Sequence, residues 1–472
     1  MQTRKILIGG EWREASEIFA VNNPYNGETL CEIFSANETE TQEAIALAEE
    51  ASKKMRRLAR FEIAKGLRRI ADGIERRKKE FAEIIAEESA KPITLARGEV
   101  ERGIATFAWA AGEAERFAGE VVPVDTQASG KNKTAHTQKI PRGVIYGITP
   151  FNFPLNLVGH KVAPALASGN AIIIKPSQRT PLTSLLLGEV FLESGLPKSA
   201  LQIVPMDVKY IDAVYADERV KMISFTGSAE VGWNIKAQAN KKMVTLELGG
   251  NAPVIIDESA DIEKSLDRTT MGAFAYSGQV CISVQRVYIH EKIFDEWTEK
   301  FIKKANDLKK GNPLDETVQL SAMITEEAAQ KAQSRIKEAK ENGAKILCGG
   351  ERNGAMLDAT IVTNTSAEMR VVSDEIFAPV AVVEKFSNFE EAVEQSNQTE
   401  YGLQAGVFTQ DLQRANYAAD NLEYGGVLIN DVPTFRVDNM PYGGVKASGF
   451  GREGVHYAME EMSETRLIVI NS

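Results

Sequence analysis

The stretch GVIYGITPFNFPLNLVGHKVAPALASGNAIIIKPS, residues 143–177, decides the fold. Its ends, GVIYGIT and NAIIIKPS, are short β-rich apolar runs, and LNLVGHKVAPALASG between them reads as a helix. Strands that are continuously apolar must be covered on both faces, and their alternation with helices indicates βαβ units in a parallel sheet. The pattern continues through the strands LQIVP (201–205) and MISFTGS (222–228). The helices between them are LTSLLLGEVFLESG and a segment near Lys209–Asp217. A second alternating series begins near Val244 with VTLEL, APVIID, the helix DIEKSLDRTTMGAFAYSG and VQRVYIH, and later includes AKILCGG, VAVVEKF, QAGVFT and GGVLIN. The expected architecture is α/β, with two domains meeting at a seam near 245–250.

Upstream, the first part of the chain reads as polar and helical. From about Glu40 to Phe117, apolar residues recur at three- and four-residue intervals, as in Ile63, Leu67, Ile70 and Ile74, which predicts long amphipathic helices. Asn132–His136 reads as an exposed hairpin or linker. The C-terminal ETRLIVIN is apolar and β-like, so a free edge there would be adhesive, and a pairing partner is expected.

The bulk numbers narrow the function classes. A chain of 472 residues with 43% hydrophobic and 26% charged residues is long enough for two or three globular domains. No stretch of about 18 apolar residues predicts a membrane span, and MQTRKILIGGEWRE has no apolar run long enough for a signal peptide. A net charge of −11 argues against nucleic acid as a partner. The three cysteines (Cys31, Cys281, Cys348) form no disulfide framework, so a cytoplasmic location is expected. The four histidines are scattered, so no metal site is expected.

Five segments carry the types of residue that chemistry needs. In TPFNFP (149–154), Asn152 offers a non-ionising amide donor suited to an oxyanion hole; the plainer reading is a helix cap. Lys175, in KPS, lies where parallel strands end and ligands bind, or is a surface lysine. FTGSAEVG (225–232) puts Gly227-Ser228 between a strand and a helix, a phosphate-binding geometry or a tight turn. ELGGNAP (247–253) ends an apolar strand on Glu247, whose surroundings should raise its pKa and suit it as a general base. Cys281, in GQVCIS, is either a nucleophile or a small buried hydrophobe; for Cys31 and Cys348 the second reading is preferred.

Taken in order, TPFNFP, KPS, FTGS, ELGGN, GQVC, EIFAP (375–379) and PYGGVKASG (441–449) resemble the aldehyde dehydrogenase superfamily from about Ile8 to Asn471. The resemblance implies two Rossmann-type α/β domains with a small β oligomerisation projection. Residues 1–118 and 141–246 would bind the dinucleotide, 247–440 would form the catalytic domain, and 119–140 with 455–472 would form the oligomerisation segment of a homodimer or homotetramer. It implies that Cys281 attacks an aldehyde, that Asn152 and the Cys281 N–H hold the oxyanion, and that Glu247 activates water against the thioester. Lys175, Ser177, Gln178, Gly227, Ser228, Glu375 and Phe377 would hold NAD or NADP, and Lys161 and Glu453 match supporting positions.

Gln178 and Arg179 follow the KPS segment where NAD-preferring members commonly carry a glutamate, so acceptance of NADP is expected. The tail and the GQVCIS context look most like the lactaldehyde, glycolaldehyde and succinate-semialdehyde branch. The substrate pocket is expected from the Phe107–Trp109 helix, Phe153, Ile282 and residues 431–436, with Arg102 or Arg436 available to a substrate carboxylate. The alternatives are a CoA-acylating semialdehyde dehydrogenase, a non-catalytic scaffold of the same fold and a cysteine hydrolase.

Overall fold

A computed structural model describes residues 3–471. The opening stretch forms strand Val144–Ile148, helix Asn156–Ala167 and strand Ala171–Lys175, and the two strands pair in parallel from Val144↔Ala171 to Ile148↔Lys175. Ile172, Ile173 and Ile174 are wholly buried, as continuous apolarity requires of a strand covered on both faces. Leu201–Ile203, Val220–Thr226 and Met243–Glu247 add to this parallel core. The sheet has eight strands, completed by Gly449–Phe450 at one edge and by Ile6–Ile8 and Glu11–Arg13 at the other.

The second series forms a seven-stranded sheet in the order Lys345–Cys348, Thr360–Thr363, Val380–Phe386, Val284–His290, Ala252–Ile256, Gln404–Phe408 and Gly426–Ile429. Each sheet packs its own apolar residues, Ile145, Ile173 and Ile223 in one and Val254, Val287 and Ile289 in the other. Met243–Glu247 belongs to the first sheet and Ala252–Ile256 to the second, so the chain crosses between them at 248–251.

The helices Glu38–Met55, Arg60–Arg76, Lys78–Ser89 and Ile93–Arg116 occupy the predicted amphipathic region, with Ile63, Leu67, Ile70 and Ile74 facing inward. One expectation needs correction. The first part is not all helical: strands fill most of residues 3–35, including Glu17–Asn22 paired with Thr29–Ser35. These strands are short or have a mixed pattern of exposure, which leaves little periodic signal. Of the two readings of Asn132–His136, hairpin or linker, the structure gives the hairpin, because strand Lys133–Pro141 takes it up from residue 133. That strand pairs antiparallel with Ser463–Asn471 along its length, and Val121–Val122 flanks its other side. No helix among the described residues is long and apolar enough to cross a membrane.

Candidate active site

The central strands of the first sheet end level. Ile148 lies opposite Lys175 and Phe225, and Thr226 lies opposite Glu247. The segments that leave these ends carry Asn152, Ser177, Gln178, Gly227 and Ser228, so these residues gather with Glu247 at one carboxyl edge, the ligand-binding edge of open α/β sheets. The two glycines that follow Glu247 are needed for packing. A Cβ on Gly249 would lie 2.3 Å from Glu375 Oε2, and one on Gly250 would lie 2.3 Å from the Cys281 carbonyl oxygen. Two bare backbones therefore bring the Glu375 and Cys281 loops against the crossing between sheets. Gly250 N–H also donates to Glu375 at 3.0 Å.

Cys281 follows an unusual turn. Tyr276, Ser277 and Gly278 all have positive φ, of 50°, 53° and 67°. Left-handed backbone at a non-glycine residue costs about 1–2 kcal/mol, so the surroundings must hold it. Tyr276 Oη donates to the Ser89 carbonyl at 3.1 Å, and Ser277 Oγ to the Ser321 carbonyl at 2.7 Å. Gln279 accepts from Ile324 N–H at 2.8 Å, and its carbonyl accepts from Asn152 Nδ2 at 3.0 Å. One of the two Asn152 amide hydrogens thus fixes the Cys281 loop, and among the described residues its Oδ1 is buried without a partner. Cys281 is partly exposed and lines a cavity of about 450 Å³. Its sulfur lies 3.1 Å from the Tyr442 hydroxyl. Burial pushes the thiol up to about 11, against the opposing hydrogen bond from Tyr442 and the charge of Arg436. In the protein alone, burial thus outweighs both of these lowering effects.

Behind the sulfur is a buried charge network. Glu247 is 3% exposed, and neither carboxyl oxygen has a hydrogen-bond partner among the described residues. Burial, reinforced by the negative charge of Glu453, raises its pKa well above the usual carboxylate range. Glu453 moves the other way: burial opposes its ionisation, but the charges of Lys161 and Arg436 hold it well below that range. Lys161 Nζ donates to Glu453 at 3.1 Å and to Thr226 Oγ1 at 2.8 Å. Arg436 donates to Glu453 at 3.2 Å and to His160 Nδ1 at 3.0 Å, and its guanidinium lies 3.6 Å above the Tyr442 ring. A guanidinium can only donate, so Nδ1 accepts and the His160 proton sits on Nε2, facing Asp438 at 2.7 Å. The two carboxyl groups are thereby pushed apart, Glu247 toward the neutral acid and Glu453 toward the anion.

The expected cofactor residues can hold a dinucleotide. Ser228 precedes helix Ala229–Gln238 in an extended conformation with no side-chain cap bond, so the first-turn amides remain available to a pyrophosphate. Burial lowers the pKa of Lys175, which ends its strand beside Ser177. Gln178 and Arg179 are exposed. Burial raises Glu375 to about 7, and the Phe377 ring stands edge-on to Phe151, 6.0 Å between centroids, joining EIFAP to TPFNFP. Among the described residues, no cluster of three or more His, Cys, Asp or Glu is placed to hold a metal ion.

The pocket expectation is corrected in part. Phe153, Ile282, Thr434 and Arg436 line the cavity, but Phe107 and Trp109 do not. Phe107 is wholly buried next to Gly159, and Trp109 is 42% exposed. Helix Ile93–Arg116 does contribute, through Leu95, Gly98, Glu99 and Arg102 nearer its start. The sequence does not single out Tyr442, although it lies within the quoted PYGG, or His160, which the opening helix carries. Neither residue has a local pattern that betrays its partner.

Comparison with known proteins adds an independent line. The family model described as "Aldehyde dehydrogenase family" matches residues 12–468. A 3-sulfolactaldehyde dehydrogenase of Priestia aryabhattai is 42% identical over 99% of this chain and 98% of its own length. The crystal structure of aldehyde dehydrogenase 21 from Physcomitrella patens, in complex with the reaction product succinate, superposes with a TM-score of 0.98 at 41% identity, covering 100% of this chain and 98% of that one. Glyceraldehyde-3-phosphate dehydrogenase GapN of Methanocaldococcus jannaschii, complexed with NADP, superposes with a TM-score of 0.92 at 40% identity, covering 96% and 99%.

Proposed function

The chain belongs to the aldehyde dehydrogenase family, and from that premise we propose that it oxidises a small aldehyde to the carboxylate through a covalent bond to Cys281, with NADP or NAD as the acceptor. The observation that carries this reading is a cysteine on a clamped loop, open to a cavity of about 450 Å³, with the unpartnered acid Glu247 buried near it.

Sulfur adds to the aldehyde carbon: the S–C bond forms, the thiol proton goes to a base, and the carbonyl π pair becomes an alkoxide. Asn152 Nδ2 and the Cys281 N–H are the donors for that oxyanion, each worth about 3 kcal/mol. Lys175, Ser177, Gln178, Gly227, Ser228, Glu375 and Phe377 would hold NAD(P), which would supply the acceptor for the hydride leaving this carbon, so that Cys281 is left as a thioester. Glu247 then takes a proton from water as the oxygen attacks the thioester carbon. The C–S bond breaks, the carboxylate leaves and the thiol regains its proton. Lys161 and Glu453 hold charge behind this step.

The sulfolactaldehyde and succinate relatives act on small molecules, which supports a small aldehyde here, and the NADP complex of the third supports NADP beside NAD. The test is reduced-cofactor absorbance with a panel of small aldehydes. Cys281→Ala is expected to lower turnover at least about a thousandfold. Glu247→Gln is expected to release one equivalent of reduced cofactor and then stall. Turnover that accelerates with CoA and yields acyl-CoA would instead establish the acylating alternative.

A further inference from the structure

A phenol hydroxyl stands against the Cys281 sulfur. Tyr442 is 3% exposed, its Oη lies 3.1 Å from that sulfur, and among the described residues the sulfur is the hydroxyl's hydrogen-bond partner. The ring is held from several sides. Tyr442 N–H donates to the Glu453 carbonyl at 3.0 Å, and Glu453 N–H donates to the Tyr442 carbonyl at 2.7 Å. The Arg436 guanidinium lies 3.6 Å from the ring centroid, and Ile282 and Leu403 pack against Tyr442 in one small apolar cluster. A side chain needed only to wall the cavity could end in a bare ring, as Phe153 does on the same lining.

The chemistry of the pair gives the contact a direction. A thiol is a weak donor and a weak acceptor, so a buried hydroxyl paired with neutral sulfur is poorly satisfied. A thiolate has no proton to give, so the hydroxyl must donate to it, and hydrogen bonds to a charged partner are roughly twice as strong. The bond therefore favours the charged form of sulfur over the neutral one. Arg436 strengthens the donor, because donation moves negative charge onto the phenol that its cation faces. The hydroxyl keeps its own proton: burial pushes Tyr442 well above the usual phenol range, with Arg436 opposing. The other charges near the sulfur are mixed. Arg436 favours a thiolate, whereas Glu247 and Glu375 oppose it when ionised. Across the cavity, Lys91 pairs with Glu99, and Arg102 and His160 pair with Asp438. Tyr442 alone among the described residues hydrogen-bonds the sulfur.

Resting on the assignment of Cys281 as nucleophile, we propose that Tyr442 is a further catalytic residue, whose Oη–H donates to the sulfur each time the sulfur is negatively charged. That happens twice in a turnover. The sulfur is charged before it attacks the aldehyde carbon, and again when the C–S bond of the thioester breaks and its electron pair returns to sulfur. Between these points sulfur is bonded to carbon and uncharged, and the hydrogen bond is weak. No proton leaves Tyr442 at either point, and the thiol proton still goes to the base.

The experiment follows alkylation of the full-length enzyme by iodoacetamide against pH, with peptide digestion placing the label on Cys281. Tyr442→Phe keeps the ring and removes the donor. Its midpoint is expected about one pH unit above the parent's, the size of one hydrogen bond to a charged group. Below both midpoints, its alkylation and its burst of reduced cofactor are each expected to slow about tenfold, while at high pH alkylation reaches at least the parent's limiting rate. Tyr442→3-fluorotyrosine, a stronger donor, is expected to lower the midpoint, and the opposite signs separate donation from a packing role. A midpoint within about 0.2 units of the parent's in Tyr442→Phe overturns the proposal, as does a fluorinated enzyme that shifts the same way. Should Tyr442→Phe fail to fold, the fluorinated enzyme decides alone: a lowered midpoint supports the hydrogen bond and any other result overturns it. Cys281→Ala that still turns over would overturn nucleophile and tyrosine together. An unshifted midpoint beside an inactive Cys281→Ala overturns the tyrosine alone.

Discussion

At the scale of single residues, the site depends on carboxyl groups placed in opposed environments. Glu247 lies in an apolar strand, and its raised pKa is legible from VTLEL alone; the share contributed by Glu453 is not, since the two are brought together only by folding. The sign of its pH effect follows. A carboxyl whose folded pKa is raised keeps its proton as pH climbs past the ordinary carboxylate range, so thioester hydrolysis should speed up as pH rises through the raised value. Glu247→Gln should flatten that limb in stopped-flow measurements; an unchanged limb would remove Glu247 from the step. Stability runs in the opposite direction. The native state binds the extra proton, so this group's contribution is full below the unfolded pKa and is lost as pH rises through the folded one. Asn152→Ala should lower kcat about a hundredfold with a smaller change in KM, as removal of an oxyanion donor does. Gln178→Glu should lower kcat/KM for NADP about tenfold relative to NAD, by putting a negative charge where the 2′-phosphate would sit. An unchanged cofactor ratio would place that phosphate elsewhere.

At the scale of elements, the alternation of strands and helices is legible because continuous apolarity and length survive in the local sequence. What holds the elements together is not. Helices Asn156–Ala167 and Leu182–Leu192 begin without a side-chain cap of their own, after Leu155 and Pro181. Their first amides are satisfied from far away in sequence. Glu99 accepts from Leu155 and Asn156 N–H, and Glu88 accepts from Leu182 N–H at 2.7 Å and Thr183 N–H at 3.0 Å. No short-range capping pattern reports a carboxylate 94 residues upstream. Glu88→Ala should therefore lower stability by about 2 kcal/mol, seen as a loss of a few degrees in Tm, because it leaves buried donors unmatched. A Tm within one degree of the parent would show that water or a rearranged backbone replaces the cap. The left-handed turn at Tyr276–Gly278 is hidden in the same way. AYSG reads as a helix end, but its conformation is dictated by Ser89 and Ser321, which lie on other segments.

At the scale of the whole molecule, the first sheet presents Glu247 and the residues proposed for the dinucleotide at its carboxyl edge, and the second brings Cys281 to meet them across Gly249-Gly250. We propose the division into dinucleotide-binding, catalytic and oligomerisation parts on that basis. The three-stranded projection ends on Ser463–Asn471, which is paired on one side and exposes Leu467, Val469 and Ile470. An apolar edge of this kind invites another chain, and a homodimer or homotetramer is proposed. Sedimentation should show a species larger than 51.8 kDa that shrinks when residues 464–471 are removed; a monomer at micromolar concentration would rule that out. The covalent step itself is tested most directly by intact-protein mass spectrometry of Glu247→Gln quenched during turnover. One added acyl group, mapped by peptide digestion to Cys281, is the predicted result. Protein of unaltered mass while reduced cofactor accumulates would contradict it.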